Sequence, residues 1–136
     1  MRKIVIILNH TPTEEQINDL KLNFNVTEII YPPEELKNYL LNIPPEDEKI
    51  SENFLKSIIQ FIKENLQNGD FIWVQTEYGA TFYIVDYAIK NGYIPIYSTT
   101  KRVYEEKLLD KNKIERKFLF KHVRFRRYIG WSLKKN

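Results

Sequence analysis

Residues 4–8 read Ile-Val-Ile-Ile-Leu, a short and unbroken apolar run. Such a run is typical of a β-strand that is covered on both faces, as in a parallel sheet. The polar residues Asn9-His10-Thr11 follow, and Thr13 with Gln16 then forms the capping-box pattern that starts a helix. The chain therefore predicts a strand, a polar loop and a helix in succession, which is the unit of an α/β fold.

The same alternation continues along the chain. Further strands are predicted at residues 26–31, 71–74 and 94–97, helices at residues 34–41, from 51 to 66 and from about 81 to 90, and the two arms of a long hairpin at residues 103–109 and 114–128. We therefore predict one α/β domain over residues 1–136, an open and mainly parallel sheet with helices on both faces. The basic hairpin at its C-terminal end takes up about residues 99–130. Five aromatic residues are expected in the core, namely Phe54, Phe61, Trp73, Phe82 and Phe118.

Composition excludes several kinds of site. The 136 residues include no cysteine, which excludes disulfides, thiol catalysis, iron–sulfur clusters and cysteine zinc sites, and suits a reducing cytoplasm. With two histidines and no aspartate cluster, no metal site is expected. The apolar run at the start is too short for a signal peptide, and no run approaches the ~18 apolar residues of a membrane span. We expect a cytoplasmic protein that does not cross a membrane.

Charge is unevenly distributed along the chain. Residues 1–100 carry 8 basic and 14 acidic side chains, whereas residues 101–136 carry 13 basic and 4 acidic ones. Apolar side chains run through the basic part, so it is expected to fold rather than to form a loose tail. A folded basic surface with aromatic residues favours an anionic partner, nucleic acid or a nucleotide. The alternative is that these charges only solvate a surface.

Three polar stretches follow predicted strands, and ligands of open parallel sheets bind beyond the carboxyl ends of the strands. The expected ligand-binding residues in these stretches are Asn9, His10, Thr11, Gln75, Thr76, Tyr78, Gly79, Ala80, Ser98, Thr99 and Thr100, with Lys101, Arg102 and Glu77 beside them. Hydroxyl and amide groups can orient phosphate oxygens while Lys101 and Arg102 neutralise them. The alternatives are an ordinary turn at residues 98–102 and a helix-start role for Glu77.

The predicted hairpin has period-two alternation, which puts Phe118, Phe120, His122, Arg124 and Arg126 on one side. One side of the hairpin is thus expected to present His122, Arg124 and Arg126 together. His10 or His122 is a candidate proton donor near neutral pH. The alternative makes His10 an ordinary loop residue and His122 a strand residue bonded to its neighbours.

Four stretches together resemble the small stand-alone CRISPR-associated proteins of type III systems. They are residues 9–11, residues 75–81, Ile96-Tyr97-Ser98-Thr99-Thr100-Lys101-Arg102-Val103 and Phe120-Lys121-His122-Val123-Arg124-Phe125-Arg126. The resemblance is to the Csx-twenty family, which is similar to a minimal single-domain CARF (CRISPR-associated Rossmann fold) module. It covers nearly the whole chain, and the last two stretches are its most specific parts. It implies a Rossmann-like, CARF-like fold.

The resemblance also implies a ring nuclease. Such a protein binds a cyclic oligoadenylate, with cyclic tetra-adenylate the expected ligand, and cleaves it to switch off an antiviral response. The resemblance further implies a homodimer, and a reaction without metal or cofactor. Because a four-nucleotide ring can lie on a two-fold axis, the site is expected across the dimer interface.

In that reaction a ribose 2′-OH attacks the neighbouring phosphorus, so the substrate supplies the nucleophile and the protein aligns atoms and stabilises charge. Lys101 and Arg102 are expected to clamp a phosphate, and Ser98, Thr99 and Thr100 are expected to orient a phosphate or a ribose. Further phosphate contacts are expected from Arg124 and Arg126. His122 or His10 is expected to protonate the leaving 5′-oxygen, and Glu77 to polarise the 2′-OH. The alternatives are a sensor or sponge that binds the ring without cleaving it, an RNA- or DNA-binding protein that uses the hairpin, and a mononucleotide enzyme.

Overall fold

The computed structural model describes residues 1–131. Strands and helices alternate along them in the order β1 (Arg2–Leu8), α1 (Glu14–Asn23), β2 (Val26–Ile30), α2 (Glu34–Leu41), α3 (Glu52–Asn65), β3 (Phe71–Gln75), α4 (Tyr78–Lys90), β4 (Ile94–Asp110) and β5 (Lys113–Arg127). The predicted capping box starts α1, where the Gln16 amide donates to Thr13 Oγ1 and the Thr13 amide donates to Gln16 Oε1.

Five strands form one open sheet in the order β2-β1-β3-β4-β5. The first three pairings are parallel and the pairing of β4 with β5 is antiparallel. The mainly parallel sheet and the C-terminal hairpin that the sequence predicts are therefore confirmed. Within residues 1–131, every helix is too short or too polar to span a lipid bilayer.

Helices cover both faces of the sheet, as predicted. On one face, Val5, Ile7, Ile72 and Val74 pack against α2, α3 and α4. On the other face, the alternate side chains of the same strands pack against α1 and around the indole of Trp73. Because β1 and β3 are apolar at every position in their middle, both faces of these central strands are buried.

The expected aromatic core is only partly correct. Phe54 and Trp73 are buried, and Phe61 is half-buried against the same core. Phe82 and Phe118 are 75% and 53% exposed, so their prediction as core residues is wrong. Phe82 lies on the outer surface of α4, and Phe118 lies on the part of β5 that extends beyond the body of the domain.

Residues 98–102 form neither the polar loop that the sequence predicts beyond a strand nor the ordinary turn that was its alternative. The parallel pairing of β4 with β3 ends at Ile96, but β4 continues without a break and pairs with β5 as far as Asp110. Beyond Ile96 the backbone groups that point toward β5 are paired with it, so the strand continues instead of turning. Consecutive side chains from Ser98 to Arg102 therefore point alternately to opposite faces of the sheet.

A β-bulge overturns the predicted alternation of β5. Thr99 pairs with Arg124 while Thr100 pairs with His122, which leaves Val123 as an extra residue. An extra residue turns the following side chains to the other face. The prediction that His122, Arg124 and Arg126 share one side is therefore wrong.

Candidate functional site

The candidate site is a crevice at the carboxyl end of the parallel strands. The chain goes from β1 to β2 on one side and returns through α2 and α3 to β3 on the other side. At such a reversal the loops after the two strands diverge and leave room for a ligand. Here Asn9 follows β1 and Thr76 follows β3, and Thr76 Oγ1 donates to Asn9 Oδ1 at 2.6 Å. Two of the three predicted loops thus meet.

Two adjoining cavities form this crevice. The first, about 390 Å³, lies beyond β1 and β2, where its polar lining includes Asn9, His10, Thr11 and Lys37. The second, about 470 Å³, adds the β3 side, and the two share Asn9 together with residues 40–41 of α2. Both volumes lie in the range of small-molecule sites.

Lys37 is a site residue that the sequence analysis missed. It lies in the first half of α2, and α2 begins just after the carboxyl end of β2. Lys37 is half-buried and lines the first cavity together with Tyr31. The signal for Lys37 was its position in a helix that follows a strand of the same sheet.

His10 is exposed at the mouth of the first cavity. Its Nδ1 lies 3.2 Å from the Thr11 carbonyl oxygen. A carbonyl oxygen only accepts hydrogen bonds, so this contact assigns the proton to Nδ1 in the neutral ring. The Nε2 atom then has a free lone pair. His10 is therefore the histidine of the crevice that is able to exchange a proton with a bound molecule.

The start of α4 is already occupied by a carboxylate. Glu77 is the N-terminal capping residue, and its Oε1 accepts from the Ala80 amide at 2.8 Å. The negative charge stabilises the positive end of the helix and would repel a phosphate there. Ala80 itself is fully buried. Glu77 thus has the helix-start role that was its alternative, and Ala80 offers no group to a ligand.

Tyr78 and Gly79 are exposed at the same turn. The Tyr78 side chain is 93% exposed and borders both the crevice and the neighbouring apolar hollow on α4. A Cβ atom at position 79 would lie 3.0 Å from Ile50 Cδ1, so a side chain there would crowd the loop before α3. Glycine therefore keeps this loop close to α4.

Gln75 is turned into the sheet rather than into the crevice. Its Oε1 accepts from Trp73 Nε1 and from the Ser98 amide, both at 2.7 Å. These bonds join β3 to β4 at the point where their backbone pairing ends. Gln75 therefore has a structural role below the crevice.

Ser98 and His122 belong to a buried network on the α1 face. Ser98 Oγ lies 2.6 Å from His122 Nδ1, and His122 Nε2 lies 2.6 Å from Asp19 Oδ2. Gln16 Nε2 donates to Ser98 Oγ at 3.1 Å. Because a carboxylate only accepts, Nε2 of the neutral ring carries the proton and Ser98 donates to Nδ1.

The same three groups, carboxylate, imidazole and hydroxyl, make up the acid–base chain of serine hydrolases. Here the Ser98 residue is 8% exposed and the His122 side chain 4% exposed. The Ser98 oxygen also accepts from Gln16, so it is not free to attack a substrate. The network joins α1 to the base of the hairpin, which matches the structural alternative for His122.

The predicted clamp of Lys101 and Arg102 is not formed as expected. The Arg102 guanidinium stacks on the Phe118 ring at 3.8 Å, on the face that also carries His122. Lys101 is directly opposite Lys121, on the face that carries Tyr97 and Thr99. Two adjacent strand residues face opposite ways, so these cations do not hold one phosphate together.

Arg126 lies on the face of the sheet that α4 covers. Its Nη1 donates to Tyr97 Oη at 3.1 Å, and its guanidinium lies over the Tyr97 ring. Tyr97 packs against Tyr128, and burial, followed by the proximity of Tyr97, raises the pKa of Tyr128 to about 12. Arg126 and Lys101 lie on the same face of the sheet.

Thr99 and Thr100 continue the same alternation. Thr99 Oγ1 donates to the Arg124 carbonyl at 2.9 Å, which spans the bulge, while Thr100 is exposed opposite His122. The Arg124 guanidinium turns back to the Phe125 carbonyl. Of the hairpin residues expected to bind a ligand, Thr100, Lys101, Arg102, Arg124 and Arg126 are exposed, but on different faces.

Comparisons with known proteins identify relatives of the whole chain. The family described as the uncharacterized protein MJ1673 family matches residues 2–126. A protein of Methanocaldococcus jannaschii, described as uncharacterized protein MJ1673, is 41% identical over 128 residues, which cover 94% of this chain and 98% of the relative. No solved structure matches the chain.

Proposed function

The chain belongs to the MJ1673 family, and we propose that this member is a ring nuclease for cyclic oligoadenylate, cyclic tetra-adenylate first. The observation that carries the proposal is the crevice in which Asn9 meets Thr76, next to the strand from which Lys101 extends. A crevice that combines an apolar lining with amide, hydroxyl and ammonium groups suits a ligand made of nucleosides and phosphates.

We also propose that the sheet is a Rossmann-like, CARF-like one. The order β2-β1-β3-β4 with parallel pairing, helices on both faces and a reversal between β1 and β3 supports this finer assignment. In this proposal the antiparallel β5 and its basic hairpin are added at one edge. The protein acts in the cytoplasm, within type III CRISPR antiviral defence.

Recognition of the adenosines falls to the crevice. Asn9 and Thr76 present an amide and a hydroxyl that can bond to a base edge or a ribose, and Tyr78 presents an open aromatic ring for stacking. Lys37 on one side and Lys101 on the other supply the positive charge for phosphates. Arg102, Ser98, Ala80 and His122 have no ligand contact in this proposal, since each is either buried or on the α1 face.

The cleavage step needs no group outside the substrate and the protein. The ribose 2′-oxygen forms a bond to the neighbouring phosphorus while the bond from phosphorus to the 5′-oxygen breaks. The products are a 2′,3′-cyclic phosphate and a 5′-hydroxyl. The 2′-hydroxyl proton passes to the free carboxylate oxygen of Glu77, Lys101 stabilises the added negative charge, and His10 in its imidazolium form gives its Nε2 proton to the leaving 5′-oxygen. Glu77 keeps one carboxylate oxygen free of the helix cap and polarises the 2′-hydroxyl.

A second copy completes the site. Cyclic tetra-adenylate has four phosphates, and one crevice has two cavities, so a homodimer with the site across its interface offers matching halves to a two-fold symmetric ring. A monomer would contact only part of the ring.

The test is incubation of purified protein with cyclic tetra-adenylate in EDTA, followed by separation of the products. We expect linear products with cyclic phosphate ends. Lys101→Ala should lower the rate at least tenfold, whereas Lys107→Ala, the same change six residues further along the same face, should leave it unchanged. His10→Ala should slow cleavage and leave binding intact.

Other results would contradict the proposal in distinct ways. Tight binding of an unchanged ring would make the protein a sensor or sponge. Failure to bind the ring at all would remove the proposal and leave linear RNA or DNA as the ligand to test, with a steep dependence on salt.

A further inference from the structure

The outer part of the hairpin extends from the domain as a free two-stranded ribbon. We call residues 99–124 the arm. From Thr99 to Asp110 the strand has 12 residues, which at about 3.3 Å per residue spans about 40 Å. Beyond its base, the arm pairs only with itself. A two-stranded ribbon alone is marginally stable in water, so such an arm is expected to gain stability from a partner.

One face of the arm is apolar. Tyr104, Leu108, Ile114, Phe118 and Phe120 are cross-strand neighbours on it, and each is between 49% and 70% exposed. The opposite face carries charged pairs, Glu105 opposite Lys117 and Lys107 opposite Glu115. The arm is thus amphipathic, and a continuous exposed apolar face of this kind marks an interaction surface.

The charges on the apolar face favour a protein partner over nucleic acid. Arg102 stacks on Phe118, and Arg116 lies 3.5 Å from Glu106 in an ion pair. A nucleic-acid surface needs cations free to meet phosphates. Here the cations of the apolar face are already engaged with neighbours.

A groove on the body of the domain has the complementary composition. It lies between α3, α4 and the loop of residues 43–50, and it measures about 650 Å³. Its apolar lining includes Ile50, Leu55, Phe82 and Tyr83. Phe82 is 75% and Tyr83 42% exposed, so two large aromatic rings of this groove lack a cover within residues 1–131.

The groove is acidic. Asp47, Glu48, Glu52 and Glu77 line it against a single basic residue, Lys49. Within residues 1–131, none of these carboxylates makes an ion pair. The arm carries nine basic and four acidic side chains, a balance of +5. The two surfaces are therefore complementary in charge as well as in apolar character.

An arm cannot reach the groove of its own chain. The apolar row of the arm continues from His122, which packs on the α1 face of the sheet. The groove is on the opposite face, with α3 and α4. A second copy of the chain is the partner that brings the two surfaces together.

We propose that the arm of one copy docks its apolar face in the acidic groove of a second copy, and that the exchange is reciprocal. A two-fold axis then relates two identical arm–groove contacts. The inference rests on the arm and the groove alone, so a chain that dimerises through them without cleaving a cyclic nucleotide would still support it.

Light scattering and sedimentation equilibrium test the exchange. We expect the wild-type chain to sediment at twice the chain mass. Phe120→Lys and Leu108→Lys in the arm, and Phe82→Lys in the groove, should each raise the dimer dissociation constant at least tenfold. Leu22→Lys, at a residue 78% exposed on α1, is the matched control and should leave it unchanged. Circular dichroism checks that each variant is folded.

A mixing experiment separates arm–groove exchange from other dimers. Phe120→Lys and Phe82→Lys chains, each weakly associating alone, should form mixed dimers when combined, because one arm and one groove in the pair remain intact. Arm-to-arm packing would instead make Phe82→Lys harmless and would overturn the proposal. So would a monomeric wild-type chain, or an arm whose variants lose affinity only for linear nucleic acid.

Discussion

Ser98 shows how one residue serves the packing of three elements. Its amide donates to Gln75, its hydroxyl contacts His122, and the same oxygen accepts from Gln16. Within residues 1–131 no buried side-chain nitrogen or oxygen lacks a partner. Because a buried polar group costs free energy when it loses its partner, this network stabilises the fold only as a complete set.

Ser98→Ala should therefore destabilise the protein by about 1–3 kcal/mol, since it leaves Gln16 Nε2 and His122 Nδ1 without a partner. Urea unfolding followed by circular dichroism measures the change. Ser57→Ala, at an exposed position of α3, is the control and should change stability by less than about 0.5 kcal/mol. Equal midpoints for Ser98→Ala and wild type would contradict this account of the network.

Tyr128 gives a prediction about alkaline pH. Its hydroxyl donates to the Val74 carbonyl at 2.6 Å, and burial raises its pKa to about 12. A tyrosine with a raised pKa stabilises the fold fully below the unfolded value of about 10, and this contribution is lost as the pH rises from 10 to 12. The stability difference between wild type and Tyr128→Phe should thus narrow over that range. Urea titrations at pH 8 and pH 11 would show this, and a constant difference would contradict it.

At the scale of elements, β4 is longer than the strand over residues 94–97 that its sequence predicts. A run of hydroxyl residues, Ser98-Thr99-Thr100, favours a turn as well as a strand, and only the pairing with β5 decides between them. The bulge at Val123 has no local signal either, because one extra residue is defined by its opposite strand. The continuation of β4 and the position of the bulge are therefore decided by pairing between distant parts of the chain, and local patterns do not predict them.

Other parts of the fold were predictable from local patterns. The apolar run at residues 4–8, the capping box of α1 and the helical spacing in α3 each gave the right element, because each signal lies within one turn or one strand. The meeting of Asn9 with Thr76 followed from the rule that parallel strands end at one edge. The faces of Lys101, Arg102 and His122 were not predictable, because they depend on the continuous β4 and on the bulge.

The capping role of Glu77 leads to a prediction at this scale. Glu77→Ala should destabilise the protein by about 1 kcal/mol, because the Ala80 amide loses its acceptor at the start of α4. Glu64→Ala, on the surface of α3 near its end, should have a smaller effect in the same urea titration. A fully stable Glu77→Ala variant would show that water replaces the cap without cost.

At the scale of the whole molecule, the buried core lies entirely in the body, which is the part of the domain outside the arm. Every buried apolar residue between residues 1 and 131 lies outside the arm, and Phe125, the residue that follows the arm, belongs to the core around Trp73. The body carries an excess of acidic side chains and the arm an excess of basic ones. Glu77 lines both the crevice and the acidic groove, so an arm docked in that groove would border the crevice of its partner.

Shortening the arm tests this separation. Arg102 and Phe120 are cross-strand partners, so residues 103–119 can be replaced by Asn-Gly, which closes a two-residue hairpin. The shortened chain should unfold at the wild-type temperature when both are monomeric, and it should not dimerise. Thermal melts at several protein concentrations measure both properties. A melting temperature lowered at every concentration would show that the arm supports the body.

The two tryptophans occupy opposite environments, with Trp73 fully buried and bonded to Gln75 and Trp131 85% exposed beside the hollow on α4. Their fluorescence is therefore separable without any label. A water-soluble quencher such as iodide should quench the red-shifted emission of Trp131 and leave the blue-shifted emission of Trp73 unchanged. The residual signal would then report on the core around Trp73, and the quenched signal on the surface beside α4.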